Sequence, residues 1–432
     1  MLFEIITTGL MGGIAIKAYT KKQGIASNES GKIQRIISLS GLNVKDGKDT
    51  LTTQLIRKKK YEWGWEYKYR IPLGRSFQDY QNKLNIIEDG LNNRRKRVTV
   101  IDLKELQFDS NIIDSLRNLW ANKLTETKEV EISFDGLLVI RVYDEPLPKQ
   151  VPFHVGTDWK IPVGITRMKN GFRYHDFETT PHVVIGGATR YGKSNTINTM
   201  IISLLNSKPK YTNLFLIDLK GGIELCDYEN IKQTVSIAYE PKEALETLTL
   251  AYNKLRDIQN HVRKMGKKNV QEAGIKERYF VIIDEVGELN PAEAVSREDK
   301  KLKLECQTLM SQIARLGAGL GFRQILATQY PTGDVIPRQC KQNSDAKLSF
   351  RVQSAVASRV VLDGEGAEQL PQIKGRAIYQ TADQREILQT PLITAEIIRN
   401  TIAPYIIKKE EVVKIETSER PRRSNTVTIE EV

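Results

Sequence analysis

The sequence predicts an α/β fold, a mostly parallel sheet with helices on both faces. Three observations predict it. First, the short apolar run Val183 to Ile185 leads into Gly187-x-x-x-x-Gly192-Lys193-Ser194, and a helical pattern follows from Asn195 to Leu205. Strand, glycine-bracketed loop and helix in that order make a phosphate-binding loop. Second, further apolar runs end in polar side chains: Leu214 to Asp218, Tyr279 to Glu285 and Gln324 to Gln329. Third, long helical patterns lie between them, Lys242 to Met265 and Leu302 to Leu316. Buried strands alternating with helices are the pattern of a parallel sheet.

The composition bounds the function classes. At 432 residues the chain has room for two or three domains. Apolar residues make up 40% and charged residues 27%, an ordinary globular balance. The net charge of +12 points to a polyanionic partner, nucleic acid or an acidic membrane surface. Cys226, Cys306 and Cys340 lie far apart without metal-ligand spacing, so they read as reduced thiols. The four histidines form no zinc pattern, and nothing supports a Ser/His/Asp hydrolase.

Residues 1–23 are largely apolar, with Lys21 and Lys22 at the end. They read as a candidate membrane anchor or as a short amphipathic or buried helix. An inserted anchor would leave the rest of the chain cytoplasmic. Residues 24–150 read as a smaller α+β domain. Trp63 to Pro72 alternates like a strand, Phe77 to Leu91 has helical spacing, and Val130 to Val142 reads as two strands turning at Asp135-Gly136. The basic runs Arg57 to Lys60 and Arg94 to Arg97 read first as solvated faces, with contact to a phosphate backbone as the alternative. Residues 151–406 form the nucleotide-binding domain. It opens with a hairpin-like stretch, Ile161 to Asp176, and includes a further short strand, Lys347 to Val352. Residues 407–432 are charged and poor in large apolar side chains, the composition of a disordered tail.

The chemistry gathers at the carboxyl ends of the strands, where such sheets bind ligands. The expected nucleotide-binding residues are Gly187, Ala188, Thr189, Arg190, Tyr191, Gly192, Lys193, Ser194 and Asn195. Gly187 and Gly192 let backbone N–H groups turn toward phosphate oxygens. Lys193 reaches the β- and γ-phosphates of ATP, and the Ser194 hydroxyl ligates Mg²⁺. Arg190 is expected to point out from the loop's tip. Asp284 is the second candidate for holding Mg²⁺, and Glu285 is the candidate base for the attacking water. Gln329 ends the next strand and is placed to touch the γ-phosphate or that water. Gly317-Ala-Gly-Leu-Gly321 follows a helix and precedes a strand, the wrong order for a dinucleotide loop.

Several stretches resemble the FtsK/SpoIIIE family of DNA-pumping ATPases. They are Pro181 to Ser194, Ile217-Asp-Leu-Lys-Gly221, Val281 to Glu285, Ala314 to Gly319, Leu326 to Pro331, and Ser358 to Asp363 with Gly366 to Leu370. Tyr330 departs from the arginine common there, and Asn290 to Lys301 looks like an insertion. The resemblance implies a RecA-like P-loop NTPase motor. It implies assembly as a homo-hexameric ring around double-stranded DNA, bound without regard to sequence. It implies ATP held between subunits, with an arginine supplied by the neighbour. Arg359 is the first candidate for that arginine, with Arg323, Arg338 and Arg351 as rivals. Arg297, Lys374 and Arg376 are candidates for pore loops. No winged helix is expected after the motor, and a compact chain of this kind looks like the forms carried by plasmids, phages or conjugative elements. The leading expectation is therefore an ATP-driven DNA translocase working with a membrane or conjugation machinery. An ATPase energising protein secretion and a nucleotide-gated DNA-binding protein are the alternatives.

Overall fold

The computed structural model of the chain describes residues 29–92, 128–167, 171–329 and 335–407. The candidate anchor at 1–23, the basic run Arg94 to Arg97, Tyr330 and nearly all of the charged tail lie outside the described residues. Among the described residues no helix is long and apolar enough to cross a membrane.

The first unit is a four-stranded sheet backed by helices. Helix α1 (Glu29–Leu39) precedes a small hairpin, β1 (Val44–Asp46) and β2 (Asp49–Leu51). Strands β3 (Gln54–Tyr61) and β4 (Gly64–Arg70) follow. The helix expected over Phe77 to Leu91 is two helices, α2 (Phe77–Gln81) and α3 (Leu84–Asn92). Ser76 and Asp79 form a reciprocal cap that starts the first one. Strands β5 (Glu129–Phe134) and β6 (Leu138–Tyr143) are the expected pair around Asp135-Gly136, and Gly136 has φ +90°. The antiparallel order is β3-β4-β6-β5. Tyr67, Tyr69, Ile140 and Val142 point from it onto Ile33, Ile37, Ile87 and Leu91 of α1 and α3.

The second unit holds the large sheet. In chain order its elements are β7 (Val151–Pro152), β8 (Lys160–Thr166), β9 (Phe172–Asp176), β10 (His182–Gly186) and α4 (Lys193–Ser207). Next come β11 (Thr212–Ile217), β12 (Thr234–Ala238), α5 (Pro241–Lys264), β13 (Arg278–Ile283) and α6 (Arg297–Gly317). The rest are β14 (Phe322–Thr328), α7 (Arg338–Asn343), β15 (Ala346–Phe350) and α8 (Ala355–Leu362), then β16 (Arg376–Gln380), β17 (Arg385–Gln389), β18 (Pro391–Leu392) and α9 (Ala395–Ile402). The ten-stranded order is β12-β11-β13-β14-β10-β15-β16-β17-β8-β9. From β12 to β15 every pairing is parallel, and from β15 to β9 every pairing is antiparallel.

The central strands read as unbroken apolar runs because both of their faces are covered. Phe215, Ile217, Val281 and Ile283 face Leu248, Leu255, Met310 and Ile313 of α5 and α6. Leu214, Leu216, Phe280 and Ile282 face Ile197, Ile201 and Leu204 of α4. The stretch from Asn290 to Lys301 forms a short turn of 3₁₀ helix and the first turn of α6, capped by the Ser296 hydroxyl.

Candidate nucleotide site

The phosphate loop leaves β10 in the middle of the sheet, between β14 and β15. Gly187 and Gly192 have φ of +156° and +123°. A β-carbon on Gly187 would sit 2.6 Å from the Phe350 β-carbon, and one on Gly192 would meet the same ring at 3.1 Å. Phe350 ends β15, so the neighbouring strand makes both glycines obligatory. The loop is also tied down by its backbone. Ala188 N–H donates to the Arg351 carbonyl at 3.0 Å, and Gly375 N–H donates to the Tyr191 carbonyl at 2.8 Å. Arg190 stands at the exposed tip with φ +73°, as its place in the loop predicts. Helix α4 starts at Lys193 and aims its free N–H groups into the loop.

Lys193 and Asp284 meet under this loop. The Lys193 ammonium donates to Asp284 Oδ1 at 2.8 Å and to the Asp284 carbonyl at 2.5 Å. Both side chains are buried, 3% and 0% exposed. Asp284 Oδ2 is buried and, among the described residues, has no hydrogen-bond partner. A buried carboxylate oxygen with an open valence is what a hydrated cation would fill, so the residues present fit Mg²⁺. Ser194 follows in the first turn of α4.

Glu285 is buried beside Asp284 and accepts from the Gln329 backbone N–H at 3.0 Å. Burial raises its carboxyl above the ordinary range, against the pull of Lys193 and of hydrogen bonds from Thr328 and Gln329. Gln329 Oε1 accepts from the Thr189 hydroxyl at 2.9 Å and from the Lys220 ammonium. The end of β14 is therefore stitched to both the loop and the carboxylate.

Sequence reasoning missed two members of this group. Asp218, fully buried at the end of β11, accepts from the N–H groups of Glu224 and Leu225 at 2.9 and 3.0 Å. It shapes the turn that carries Lys220, the second, to Gln329. The signal was present, because Asp218 ends an apolar strand as Asp284 does.

Other expected residues fall elsewhere. The Asn195 side chain is taken up structurally: its amide donates to the Pro391 carbonyl at 2.6 Å and accepts from Ile393 N–H at 3.0 Å. Arg376, a pore-loop candidate, is 1% exposed and bonded to Gln389, Glu129 and the Leu147 carbonyl. It is not on a pore loop, because its guanidinium is buried against the first unit and the segment that follows it. Lys374 borders a cleft of about 310 Å³ beside the loop, together with Arg190, Gly192 and Asn195. Arg297 is exposed at the start of α6. Arg323 is fully buried at the start of β14 and paired with Glu178 at 3.1 Å, at the far end of the sheet from the loop. That removes it as an arginine offered to a neighbour. Arg351 is committed to the Leu370 carbonyl. Arg338 opens α7. Arg359 lies in the last turn of α8, 56% exposed and paired with Glu365.

Comparisons with known proteins agree with this geometry. Residues 158–316 match the FtsK/SpoIIIE family. The chain is 32% identical over 223 residues to DNA translocase FtsK of Treponema pallidum (strain Nichols), covering 48% of this chain and 26% of that protein. It is 31% identical over 246 residues to DNA translocase FtsK of Lactiplantibacillus plantarum, covering 53% of this chain and 29% of that protein. The chain thus spans under a third of the length of the curated relatives it matches. Among solved structures, the pCW3 conjugation coupling protein TcpA, in its monomer form with ATPgS, superposes with a TM-score of 0.59 at 19% identity. That match covers 87% of this chain and 99% of the other, and at such identity it shows a shared fold.

Proposed function

We propose that the chain is an ATP-driven DNA translocase, a reading supported by the match of residues 158–316 to the FtsK/SpoIIIE family. The observation that carries the reading is one cluster at the carboxyl ends of adjacent strands: Lys193 on Asp284, Glu285 on Gln329, and Gln329 on Thr189.

The roles follow from the chemistry of those groups. The loop from Gly187 to Asn195 takes the phosphates of ATP through backbone N–H groups and the start of α4. Lys193 transfers its charge from Asp284 to the β- and γ-phosphates. Ser194 and Asp284 would hold Mg²⁺, which when bound neutralises phosphate charge. Glu285 accepts a proton from the attacking water, and its raised carboxyl makes it a better base near neutral pH. Gln329, held by Thr189 and Lys220, is placed to report the state of the γ-phosphate to β14.

The finer reading places ATP between subunits of a homo-hexameric ring, with Arg359 reaching the neighbour's site. Double-stranded DNA is moved through the ring without regard to sequence, in the transfer or segregation of a plasmid, phage or conjugative element. Residues 151–406 are the motor and 24–150 a preceding domain. Residues 1–23 hold the motor to the cytoplasmic face of a membrane.

The test is phosphate release with and without duplex DNA. The parent protein should hydrolyse ATP faster with DNA. Glu285→Gln should bind ATP but lose about 10²- to 10⁴-fold in turnover, the scale of a general base. Lys193→Ala should lose nucleotide affinity in isothermal titration. Normal turnover by Glu285→Gln would remove the base, and turnover indifferent to DNA would remove the translocase.

A further inference from the structure

The basic run Arg57-Lys58-Lys59-Lys60 has no part in the nucleotide site. It lies on β3, the edge strand of the four-stranded sheet. All four side chains are exposed, and among the described residues none of them forms an ion pair. The acid directly opposite Lys59 in the register is Glu66, which is committed to Arg141 at 3.2 Å. Along the chain the nearest acid is Glu62, in the turn that follows. Residues 29–92 hold 12 Lys and Arg against 8 Asp and Glu, so this run equals the local excess of positive charge.

The strand is also stiffened in a way a solvated edge does not need. The Lys59 ammonium sits 4.6 Å from the Tyr61 ring centre. Tyr61 stacks on Trp63 at 5.0 Å and 8°, and Trp63 packs on Tyr143 at 4.8 Å. The Arg167 guanidinium closes the far end, 5.0 Å from the Tyr143 ring centre. Each ring in this pillar packs on a neighbouring ring, and a cation sits at either end. The pillar holds Lys59 in place. Successive residues of a strand point to opposite sides, so Arg57 and Lys59 share one face and Lys58 and Lys60 the other. Among the described residues no strand pairs with the outer edge of β3, so its outward N–H groups are further donors for phosphate oxygens.

Lysines on an edge strand also deter sheet-to-sheet aggregation. Four basic residues in succession, without acidic partners and with one of them oriented by a stacked pillar, fit a polyanion with regularly spaced charge.

We propose that β3 is a DNA-backbone contact of the first unit, separate from the motor's nucleotide site. The proposal rests on the translocase reading and names a surface which that reading does not require. It commits to phosphates rather than bases, so binding is independent of sequence and falls steeply with salt.

The experiment uses the full chain and a 40-base-pair duplex, titrated by fluorescence anisotropy between 50 and 200 mM salt. The variant R57Q/K58Q/K59Q/K60Q should bind at least about tenfold more weakly at 100 mM salt. Its plot of log affinity against log salt should be shallower by about two to four, at roughly 0.9 for each phosphate that is no longer neutralised. Its ATP turnover without DNA should match the parent, since the side-chain contacts of the run are to Tyr61 and Trp65 and not to the nucleotide site. R263Q/K264Q/K267Q/K268Q removes the same charge from the exposed end of α5 and the turn after it and should change the slope little. An equal fall in both variants means bulk charge and overturns the proposal. So does an unchanged affinity and slope in the β3 variant, which leaves the translocase reading standing. A β3 variant that loses binding to phosphatidylglycerol vesicles but keeps DNA binding overturns it in favour of a membrane surface. A parent chain that binds no DNA overturns both readings together.

Discussion

Two buried charge clusters lie within reach of the phosphate loop, and they are built on opposite terms. In the nucleotide site, Lys193 and Asp284 pair while Asp284 Oδ2 goes unpartnered and burial raises the Glu285 carboxyl. At the junction of the two units, the charged groups are closed on one another. Arg376 donates to Gln389 Oε1, Glu129 Oε1, and the carbonyls of Leu147 and Pro148. Glu129 also accepts from Arg167 at 2.9 Å and from Leu147 N–H at 3.0 Å. Burial pushes the Glu129 carboxyl up, yet the hydrogen bond and charge of Arg167 leave it below the ordinary range. A site that must receive a ligand leaves polar valence open, whereas a joint that must hold two units closes it. The joint touches the site directly, since Gly375, next to Arg376, donates to the Tyr191 carbonyl of the loop.

The largest expected effect concerns how the open site is completed. No cation besides Lys193 faces the buried carboxylates from within the phosphate loop, because Arg190 points outward. A guanidinium supplied by a neighbour contributes about 10³- to 10⁵-fold in rate in related chemistry. Arg359 is exposed, and its pairing with Glu365 is a surface bond worth under about 1 kcal/mol, so releasing it costs little. Arg359→Ala should therefore abolish turnover while leaving the thermal midpoint in place. Mixed with Lys193→Ala, it should regain part of the activity, because some interfaces then join an intact loop to an intact arginine. Near-normal turnover by Arg359→Ala alone would remove Arg359 as that arginine and leave the exposed Arg338 at the start of α7 as its rival.

The closed joint should behave in the opposite way. Arg376→Gln leaves the half-buried Glu129 with one partner fewer and two carbonyls without donors. Breaking a buried pair costs about 3–5 kcal/mol. The denaturation midpoint should fall clearly, and Arg376→Lys should not restore it, because one ammonium lacks the reach of the planar fork. If Arg376→Gln unfolds with the parent, the joint is not closed by charge and the contrast fails.

The two clusters also differ in how legible they were in the sequence. The loop, Asp284, Glu285 and Gln329 could be placed because each is local: a strand ends and a polar side chain follows. Apolar runs with both faces buried gave the parallel sheet for the same reason. Arg376 could not be placed. Its partners are Glu129, Leu147 and Pro148, far back in the chain, and only the fold joins them. The resemblance put it, with Lys374, among the pore-loop candidates. The break between α2 and α3 was hidden because Phe77 to Leu91 keeps helical spacing across it. Lys220 was missed because a lysine after a strand carries no signal until Gln329 is seen to face it.

The smallest expected effect is the one that separates the two clusters by sign. Glu285 has its carboxyl raised in the folded chain, so the unfolded chain loses that proton first. Near neutral pH the ionised, buried carboxylate therefore costs the fold stability. That cost is absent below the ordinary carboxylate pKa and is present in full once pH passes the raised value. Glu129 is the reverse. Its carboxyl is lowered, so its ionised form stabilises the fold above the ordinary carboxylate range, and the gain is lost as pH falls through the lowered value. Replacing each by glutamine keeps the shape and removes the charge. At pH 7, Glu285→Gln should raise the thermal midpoint by about 2 °C, the scale of a 1 kcal/mol change in a chain of this size. Glu129→Gln should lower it, since Arg167 and Arg376 are then buried facing an uncharged amide. The gain from Glu285→Gln should shrink as pH is taken down toward about 4.5, where the parent carboxyl protonates in both states. Scanning calorimetry of the two variants across that range reads both signs at once. If Glu285→Gln is less stable than the parent at pH 7, the carboxylate is satisfied where it sits, and the site is not held open in the way its unpartnered oxygen implies.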